Sequence, residues 1–251
     1  CDLLGMMPKE SVDLVVTSPP YDDLRTYGGH SWDFYGVAWQ LKRVLKPGGV
    51  IVWVVNDETK DGTETGTSMR QALHFREIGL LLHDTMIWRK EGCPFPETNR
   101  YYPVFEFMFV LSKGKPATCN QIADRENKWA GTSVHGTDRQ KNGETTDCNA
   151  QKRGLARPIK DIGVRYNVWD IAHTGVPGAK HPAPFPEDLA RDHILSWSNE
   201  GDTVLDPFCG SGTTLKVSRK LGRRGIGIEV NPDYCDIIKA RLAQRLLRLE
   251  P

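Results

Sequence analysis

Short apolar runs alternate with amphipathic segments along most of the chain, a pattern that is typical of an α/β protein. The runs that predict buried strands lie at residues 12–16, 50–55, 83–89, 104–112, 203–206 and 225–229. The segments whose apolar spacing predicts helices lie at residues 32–45, 67–79, 187–199, 212–221 and 232–249. Because no helix separates the strands at 83–89 and 104–112, we expect a mostly parallel sheet with one antiparallel member.

The regular pattern is absent between about residues 114 and 175, where the chain is polar and shows no clear period. Residues 112–165 contain 11 Lys and Arg against 6 Asp and Glu, a local charge of +5, whereas the whole chain carries +1. The local excess suits contact with phosphate groups, while the near-neutral total gives no overall attraction to nucleic acid or to a membrane. We therefore expect this segment to be an insertion in the α/β domain.

Length and cysteine usage narrow the class of protein further. A chain of 251 residues fits one α/β domain with an insertion, and its six cysteines are scattered with no C-x-x-C pair. This usage disfavours a disulfide framework and favours a reducing compartment. No third His or Cys stands at ligand spacing near His173 and His181, so we predict no metal site. We also find no apolar stretch near 18 residues and no signal-like N-terminus.

Residues 203–231, TVLDPFCGSGTTLKVSRKLGRRGIGIEVN, predict a strand, a glycine turn, a helix and a second strand. Asp206 ends the first strand, and Glu229 ends the second one 23 residues later. An acidic residue at the second position is placed to bind the two hydroxyl groups of a ribose. Gly210 and Gly212 allow the backbone to approach a ligand closely, which a Cβ atom would prevent.

The glycine turn is neither a complete dinucleotide fingerprint nor a P-loop. Leu215 stands where G-x-G-x-x-G requires its third glycine, and no Gly-Lys-Ser/Thr sequence follows. The carboxylate of Asp206 would repel a diphosphate but suits a ligand with an ammonium group. S-adenosylmethionine (AdoMet) has a ribose and an ammonium group and carries no phosphate. The alternative interpretation is an ordinary strand–turn–helix junction without a ligand.

TSPPY at residues 17–21 would by itself be compatible with a plain Pro-Pro loop after a strand. Together with DPFCGSGTT at residues 206–214, however, it resembles the catalytic and AdoMet-binding motifs of the DNA amino-methyltransferases. The catalytic motif comes first, as in the circularly permuted β-group of that family. Further similar segments are LKPGG at 45–49, RYYPVFEFMFVLSKG at 100–114, HPAPFPEDLA at 181–190 and GIEVNPDY at 227–234.

The resemblance implies a class I AdoMet-dependent methyltransferase fold, which is α/β with a seven-stranded, mostly parallel sheet. It also implies a catalytic half at residues 1–114, an inserted target recognition region at 115–175 and an AdoMet-binding half at 176–251. Since the pattern predicts six strands, we expect the seventh before Val12. The residues that the resemblance, with the strand-tip argument above, assigns to AdoMet binding are Asp2, His181, Asp206, Phe208, Gly210, Gly212, Thr213 and Glu229.

The TSPPY motif suits methylation of an exocyclic amine, whose lone pair is delocalised into the ring of the base. The hydroxyl of Ser18 and the backbone carbonyls of Ser18 and Pro19 offer acceptors for the amine hydrogens. Pro19 and Pro20 make the loop stiff. Tyr21 offers a flat face on which a base flipped out of the duplex can stack. We therefore predict that Ser18, Pro19, Pro20 and Tyr21 form the catalytic set.

The serine form of the motif, S-P-P-Y or S-P-P-F, resembles the N4-cytosine enzymes, whereas the aspartate form, D-P-P-Y, resembles the N6-adenine enzymes. We therefore expect N4-methylcytosine in duplex DNA as the product, with N6-adenine methylation as the alternative. Methylation at C5 of cytosine requires a nucleophilic cysteine that usually follows a proline, and the chain has no Pro-Cys dipeptide. A catalytically silent DNA-binding protein is a further alternative. So is methylation of RNA or of a protein amide nitrogen, whose enzymes usually carry Asn in place of Ser18.

The insertion at 115–175 lies where the family carries its target recognition region. Basic residues there are candidates for phosphate contacts, namely Arg125, Lys128, Arg139, Lys141, Arg153 and Arg157. The alternative is a solvated surface insertion. We expect duplex DNA as the partner, a cognate restriction endonuclease as a candidate second partner, no membrane, and a monomer or homodimer. The expected location is the nucleoid and cytoplasm of a prokaryote, with a prokaryotic or phage gene as the source.

Overall fold

The structure is a computed structural model that describes residues 2–21, 32–90, 98–133, 137–147, 158–172 and 186–243. Its contacts divide the chain into two compact units. The larger unit comprises Cys1–Asn120 and Asn167–Pro251, and the smaller one is Gln121–Tyr166. Within the described ranges, no helix is long and apolar enough to cross a membrane. The same ranges contain no group of three or more His, Cys, Asp or Glu side chains that is arranged to bind a metal ion.

The larger unit alternates strands and helices, which are numbered here in chain order. The strands are β1 (Val12–Thr17), β2 (Leu45–Val55), β3 (Thr59–Lys60), β4 (Thr63–Glu64), β5 (Leu81–Arg89), β6 (Phe105–Ser112), β11 (Val168–Asp170), β12 (Thr203–Asp206) and β13 (Arg224–Gly227). The helices are α1 (Asp2–Met6), α2 (Phe34–Val44), α3 (Thr67–Glu77), α4 (Glu187–Trp197), α5 (Thr213–Lys220) and α6 (Pro232–Ala243). The short strands β3 and β4 form a separate antiparallel pair.

Seven of these strands form one sheet in the order β11-β5-β6-β2-β1-β12-β13. Strand β6 runs antiparallel to its neighbours β2 and β5. The other adjacent pairs are parallel. The prediction of a mostly parallel sheet with one antiparallel member is therefore confirmed.

The expected position of the seventh strand was wrong. The described residues before Val12 include helix α1 and no strand. The seventh strand is β11, which pairs in parallel with β5 through Val168 and Ile87. A three-residue strand in a polar segment has too few side chains to show a period, although Trp169 is buried. Strand β11 belongs to the larger unit, whereas the smaller compact unit is Gln121–Tyr166.

Apolar residues on the sheet and on the facing helices build the core of the larger unit. Strand β1 buries four aliphatic side chains, namely Val12, Leu14, Val15 and Val16. The buried face of α2 carries Val37, Ala38, Leu41 and Val44, which recur at helical spacing. Burying one large side chain of this kind stabilises the fold by roughly 1.5–3 kcal/mol. Trp53 is fully buried, and its indole N–H donates to Oε1 of Gln71 at 2.8 Å, which satisfies its only polar side-chain atom.

The topology collects specific residues at one edge of the sheet. Parallel strands β1, β2 and β12 all end at this edge, where Thr17 pairs with Trp53 and Val15 with Leu205. Because β6 runs the other way, its first residues reach the same edge, and Phe105 pairs with Arg89 at the end of β5. In open α/β sheets, ligands bind in the crevice outside the carboxyl ends of the strands.

The smaller unit consists of short antiparallel pairs. Its strands are β7 (Ala123–Glu126), β8 (Thr137–Arg139), β9 (Thr145–Asp147) and β10 (Ile162–Val164), with β7 paired to β10 and β8 paired to β9. An ion pair between Asp124 and Arg165 supports the first pair, and the Asn127 side-chain amide donates to the carbonyl of Lys160 at 2.8 Å. None of the residues that the structure describes in this unit is buried. Hydrogen bonds and ion pairs therefore contribute more here than an apolar core does.

Asp57 lies just beyond the end of β2 and is not part of helix α3, but its carboxylate caps the N-terminus of that helix. Its Oδ1 accepts from the Ser68 amide at 2.8 Å, and its Oδ2 accepts from the Ser68 hydroxyl at 2.6 Å. Gly66 precedes the helix and offers no side-chain cap. We expect Asp57→Ala to lower the free energy of unfolding by about 1–2 kcal/mol, because a helix loses its N-terminal acceptor. Urea denaturation followed by circular dichroism measures the change.

Asp57→Asn is the matched control for this test. It keeps one acceptor oxygen for the Ser68 amide, so it should lose less stability than Asp57→Ala. Equal stability of the alanine variant and the parent chain would show that the cap contributes nothing.

Candidate active site

The TSPPY segment forms a corner at the end of β1. Thr17 and Pro19 are buried, whereas Ser18, Pro20 and Tyr21 are half-buried. Pro19 and Pro20 have no amide hydrogen, so the ladder with neighbouring strands cannot continue through them. The Ser18 Oγ lies 2.8 Å from the Tyr21 hydroxyl oxygen. The corner therefore presents Ser18 and Tyr21 together at the edge of the sheet.

A hydrogen bond joins this corner to the second motif. The Thr17 hydroxyl donates to Oδ1 of Asp206 at 2.7 Å, although the two residues are 189 positions apart in the chain. The parallel pairing of β1 with β12 brings the two strand ends side by side. The same Oδ1 accepts from the backbone amide of Phe208 at 3.1 Å. The structure thus places the TSPPY corner and the DPFCGSGTT turn on adjacent strands of one edge.

Asp206 is buried, and its surroundings have opposing effects on the pKa of its carboxyl group. Burial raises the pKa of this carboxyl to about 6. Hydrogen bonds from Thr17, Thr214 and the Phe208 amide act in the opposite direction, because they favour the ionised form. The nearby charge of Glu229 also raises this pKa. A ligand that brings a positive charge to this carboxylate would relieve part of the cost of burial. The electrostatics therefore suit a cationic group.

Glu229 holds the glycine turn in shape. Its Oε2 accepts from the amide of Gly210 at 2.8 Å, and its Oε1 accepts from the amide of Asn231 at 2.9 Å. Gly210 and Gly212 have φ values of 48° and 78°, which favour glycine. A Cβ atom on Gly212 would lie 2.9 Å from Cγ1 of Ile238 on α6. Each carboxylate oxygen has a second lone pair that a ribose hydroxyl could use.

After the turn, helix α5 packs closely against strand β13, and the glycines that permit this approach lie on the strand and not on the helix. Leu215, at the place of the missing third glycine, lies on α5 and faces two glycines of β13. A Cβ atom on Gly225 would lie 3.3 Å from the Cα of Leu215, and one on Gly227 would lie 2.7 Å from its Cδ1. The missing glycine of the fingerprint is thus compensated by glycines on the opposite element.

Cys209 lies in the turn as a buried packing residue. Its Sγ would be 2.8 Å from a Cβ on Gly227. Burial raises the pKa of its thiol, so the neutral form prevails at physiological pH. The thiol is therefore unsuited to act as a nucleophile.

Aromatic side chains line the region between the two motifs. The ring of Phe208 lies 4.9 Å from that of Trp32 and 6.4 Å from that of Trp53, centroid to centroid. Sequence reasoning assigned Phe208 to AdoMet binding but gave Trp32 no role, because Trp32 fitted the apolar pattern of a helix. Phe208 and Trp32 are both half-buried. Their rings provide an apolar wall beside the glycine turn.

Sequence reasoning also missed an ion pair next to the corner. Glu106, on β6, is buried and accepts a hydrogen bond from the Tyr21 hydroxyl at 2.7 Å through its Oε2. Its Oε1 accepts from Nζ of Lys90 at 2.8 Å. A sequence signal existed, since Glu106 is the one charged residue in the apolar run VFEFMFVL. A carboxylate in such a run is rarely buried unless it is paired.

The remaining predicted site residues are less informative. Asp2 is exposed in the first turn of α1, and Thr213 is buried at the start of α5. His181 lies outside the described residues. So do two of the candidate phosphate contacts, Arg153 and Arg157.

The other four candidate phosphate contacts lie in the smaller unit. Lys128, Arg139 and Lys141 are exposed. Arg125 is half-buried, since its guanidinium stacks over the ring of Tyr166 at 4.2 Å and its Nε donates to the carbonyl of Val164 at 3.0 Å. Arg125 is therefore partly engaged within its own unit.

Comparisons with known proteins show the family to which the chain belongs. The DNA methylase family, which covers N6 and N4 methylation, matches residues 12–240. The orphan methyltransferase M.BamHII of Bacillus amyloliquefaciens is 51% identical over 245 residues, which cover 94% of this chain and 91% of the relative.

Two solved structures have the same fold. TTHA0409 of Thermus thermophilus, in complex with S-adenosyl-L-methionine, has a TM-score of 0.63 and 27% identity, over 98% of this chain and 92% of its own. The cytosine-N4-specific PvuII DNA methyltransferase has a TM-score of 0.65 and 21% identity, over 95% of this chain and 82% of its own. The fold is thus that of the class I AdoMet-dependent methyltransferases, and the chain belongs to the DNA methylase family.

Proposed function

We propose that the chain transfers a methyl group from AdoMet to the exocyclic N4 amine of cytosine in duplex DNA, after the base has flipped out of the helix. The observation that carries this proposal is the Thr17–Asp206 hydrogen bond, at 2.7 Å, which joins the residue before Ser18 to the first residue of DPFCGSGTT. A methyl donor held by the turn and an amine held by the corner would then meet at one edge of the sheet. Positioning of this kind accounts for much of the acceleration in two-substrate reactions.

The residues around the glycine turn fit AdoMet. Glu229 offers carboxylate oxygens for the ribose hydroxyls, and Asp206 offers a negative charge for the ammonium group. Phe208 and Trp32 provide aromatic surface, whose rings lie 4.9 Å apart. A relative of 27% identity has been solved in complex with the same cofactor. When bound, AdoMet supplies a sulfonium methyl group, which is an electrophile.

The residues of the corner act on the target base. The Ser18 hydroxyl and the carbonyls of Ser18 and Pro19 accept hydrogen bonds from the amine hydrogens, which favours a tetrahedral nitrogen with an available lone pair. The stiff Pro19-Pro20 segment keeps these acceptors in place. Tyr21 stacks on the flipped base. With AdoMet bound, the methyl group would pass from sulfur to the amine nitrogen, the thioether S-adenosylhomocysteine would be the leaving group, and the amine would release one proton to water.

The choice of cytosine rests on Ser18. A neutral serine suits the N4 amine of cytosine in the serine form of the motif, whereas the N6-adenine enzymes carry aspartate at this position. The matching family covers both activities, so N6-adenine methylation is the second candidate function. A silent DNA-binding role is disfavoured, since Ser18, Tyr21, Asp206 and Glu229 are all present.

Sequence choice belongs, in this proposal, to the smaller unit. Its described surface carries the exposed cations Lys128, Arg139 and Lys141 together with the exposed ring of Trp129. Contacts of these cations with phosphates would set the register of the protein on the duplex, and Asn, Gln and Arg side chains of the same unit are the candidates for reading base edges. A cognate restriction endonuclease stays a prediction.

The base is identified by incubating the protein with labelled AdoMet and assorted duplex DNA. We expect label in DNA and, after digestion to nucleosides, N4-methylcytosine by mass spectrometry. N6-methyladenine as the sole product would replace cytosine by adenine in the proposal. AdoMet binding without any transfer to DNA would support the silent alternative, and mapping at single-nucleotide resolution gives the target site.

Ser18→Ala tests the role of the corner. We expect kcat to fall roughly 100-fold, the size found when one preorganised hydrogen-bonding group is removed from a reacting centre. Binding of AdoMet, measured by isothermal titration calorimetry, should be unchanged. Ser11→Ala is the matched control, because the Ser11 hydroxyl donates to the carbonyl of Pro8 at 2.7 Å in an exposed turn. A Ser18→Ala variant with the parent kcat would contradict the assigned role.

Asp206→Asn tests the pairing with the ammonium group. Because burial raises the pKa of Asp206 to about 6, its negative charge is present above that pH and is lost below it. We expect the affinity of the parent chain for AdoMet to rise with pH up to about 6, by at most about tenfold per pH unit, and then to level off. The asparagine variant should bind AdoMet more weakly and show no such step.

Calorimetric titrations between about pH 5 and 8 span this dependence. Asp236→Asn, on the exposed surface of α6, is the control and should keep the step. A pH step that persists in Asp206→Asn would assign the titration to another group.

A further inference from the structure

A chain of polar groups runs from the catalytic corner into the sheet. Ser18 Oγ lies 2.8 Å from the Tyr21 hydroxyl oxygen, which lies 2.7 Å from Oε2 of Glu106. Oε1 of the same carboxylate accepts from Nζ of Lys90 at 2.8 Å. Glu106 is 8% exposed, so this carboxylate is shielded from water.

The antiparallel direction of β6 explains how a carboxylate reaches the corner. Glu106 is the second residue of β6 and pairs with Trp88 on β5. Lys90 follows directly after the end of β5, with its ammonium group 5.7 Å from the centroid of the Trp88 ring. Replacing a buried ion pair by apolar residues is often neutral or stabilising. Stability of the fold alone therefore gives little reason for Glu106 and Lys90 to occupy these positions.

The direction of the hydrogen bonds follows from counting protons. An ionised carboxylate can only accept, so the Tyr21 hydroxyl donates to Glu106. A phenol has one proton, and Tyr21 therefore cannot donate to Ser18 as well. In the bond between the two hydroxyls, Ser18 must be the donor and Tyr21 the acceptor. The single proton of Ser18 thus points away from the substrate, and its lone pairs remain for other donors.

We propose that Glu106, paired with Lys90, is a positioning residue that fixes this direction and makes Ser18 an obligatory hydrogen-bond acceptor toward the target base. The inference rests on the proposed function, since the target must carry an exocyclic amine. An amine hydrogen meets a lone pair of Ser18, whereas the C4 carbonyl of uracil or thymine would meet acceptor against acceptor. The ion pair therefore contributes to the selection of an amine-bearing base as well as to the rate.

Glu106→Gln should reverse the direction of the hydrogen bonds that run through Tyr21 to Ser18, with little change in the shape of the side chain. Lys90 has only donors, so it keeps the amide oxygen of the glutamine, and the NH2 group turns toward Tyr21. Tyr21 would then accept from the amide and donate to Ser18. Ser18 would be left with a proton to direct at the base.

A double-mutant cycle separates this role from a structural one. We expect Glu106→Gln to lower kcat roughly tenfold, the effect of losing one hydrogen bond of ordinary strength, without changing the Kd for AdoMet. In the Tyr21→Phe background, the same substitution should change kcat little, because the link to Ser18 is already absent. Equal effects of Glu106→Gln in the two backgrounds would overturn the proposal, since independent sites are additive.

Glu10→Gln provides the matched control. Glu10 also pairs with a lysine, since its Oε1 accepts from Nζ of Lys113 at 3.1 Å, but that pair lies outside the corner. The control substitution should leave kcat unchanged in both backgrounds. A loss of kcat in this control equal to that of Glu106→Gln would show a general effect of removing such a carboxylate and would count against the proposal.

Binding of altered DNA provides a readout that does not depend on turnover. Duplexes carrying the mapped target site, with either cytosine or uracil at the methylated position, are titrated against the protein with the inert analogue S-adenosylhomocysteine present. We expect the ratio of Kd for uracil to Kd for cytosine to fall roughly tenfold in Glu106→Gln, because Ser18 can then donate to the carbonyl. An unchanged ratio would contradict the inference.

Failure of this inference is distinguishable from failure of the proposed function. If the parent chain methylates no DNA, or methylates adenine alone, the proposed function fails before any variant is compared. If the parent chain produces N4-methylcytosine and the cycle is additive, the proposed function stands and the role of Glu106 is wrong.

Discussion

The hydrogen bond from Thr17 to Asp206 is the contact on which the rest of the site depends. It crosses from β1 to β12 between buried side chains and joins two motifs that are 189 residues apart in the chain. Its acceptor is a carboxylate that burial penalises, with a pKa raised from 3.8 to about 6. Since the folded pKa lies above the unfolded value, the contribution of this group to stability falls as the pH rises between these two values. The fold tolerates that loss at the position that the proposed function assigns to the ammonium group of AdoMet.

The antiparallel strand β6 has a comparable importance for the corner. In a purely parallel sheet, only residues that end strands reach the edge where ligands bind. Reversing one strand brings residues that begin a strand to the same edge, and Glu106 arrives there with its carboxylate 2.8 Å from Nζ of Lys90. The corner thus receives groups from β1, from the end of β5 and from the start of β6.

Much of this organisation could be predicted from the chain. The order of strands and helices follows from apolar periodicity, and the TSPPY and DPFCGSGTT segments indicate which strand ends carry the site. Strand β11 was missed because three residues cannot show a period, and its pairing with β5 is a tertiary effect. Glu106 was missed because its role comes from a contact with Tyr21, which is 85 positions away. Local sequence patterns predict which residues are buried and where the chain turns, but they do not predict which distant side chain a buried polar group contacts.

The arrangement of Leu215 against Gly225 and Gly227 limits how this nucleoside site could diverge. A leucine on the helix and bare backbone on the strand are complementary shapes, with a hypothetical Cβ on Gly227 only 2.7 Å from the leucine. Restoring the dinucleotide fingerprint by Leu215→Gly would leave a void above both strand glycines. Replacing either glycine by a larger residue while Leu215 is still present would cause a clash with the leucine. Each single step is destabilising, so a change of cofactor class along this route requires paired substitutions on the two elements.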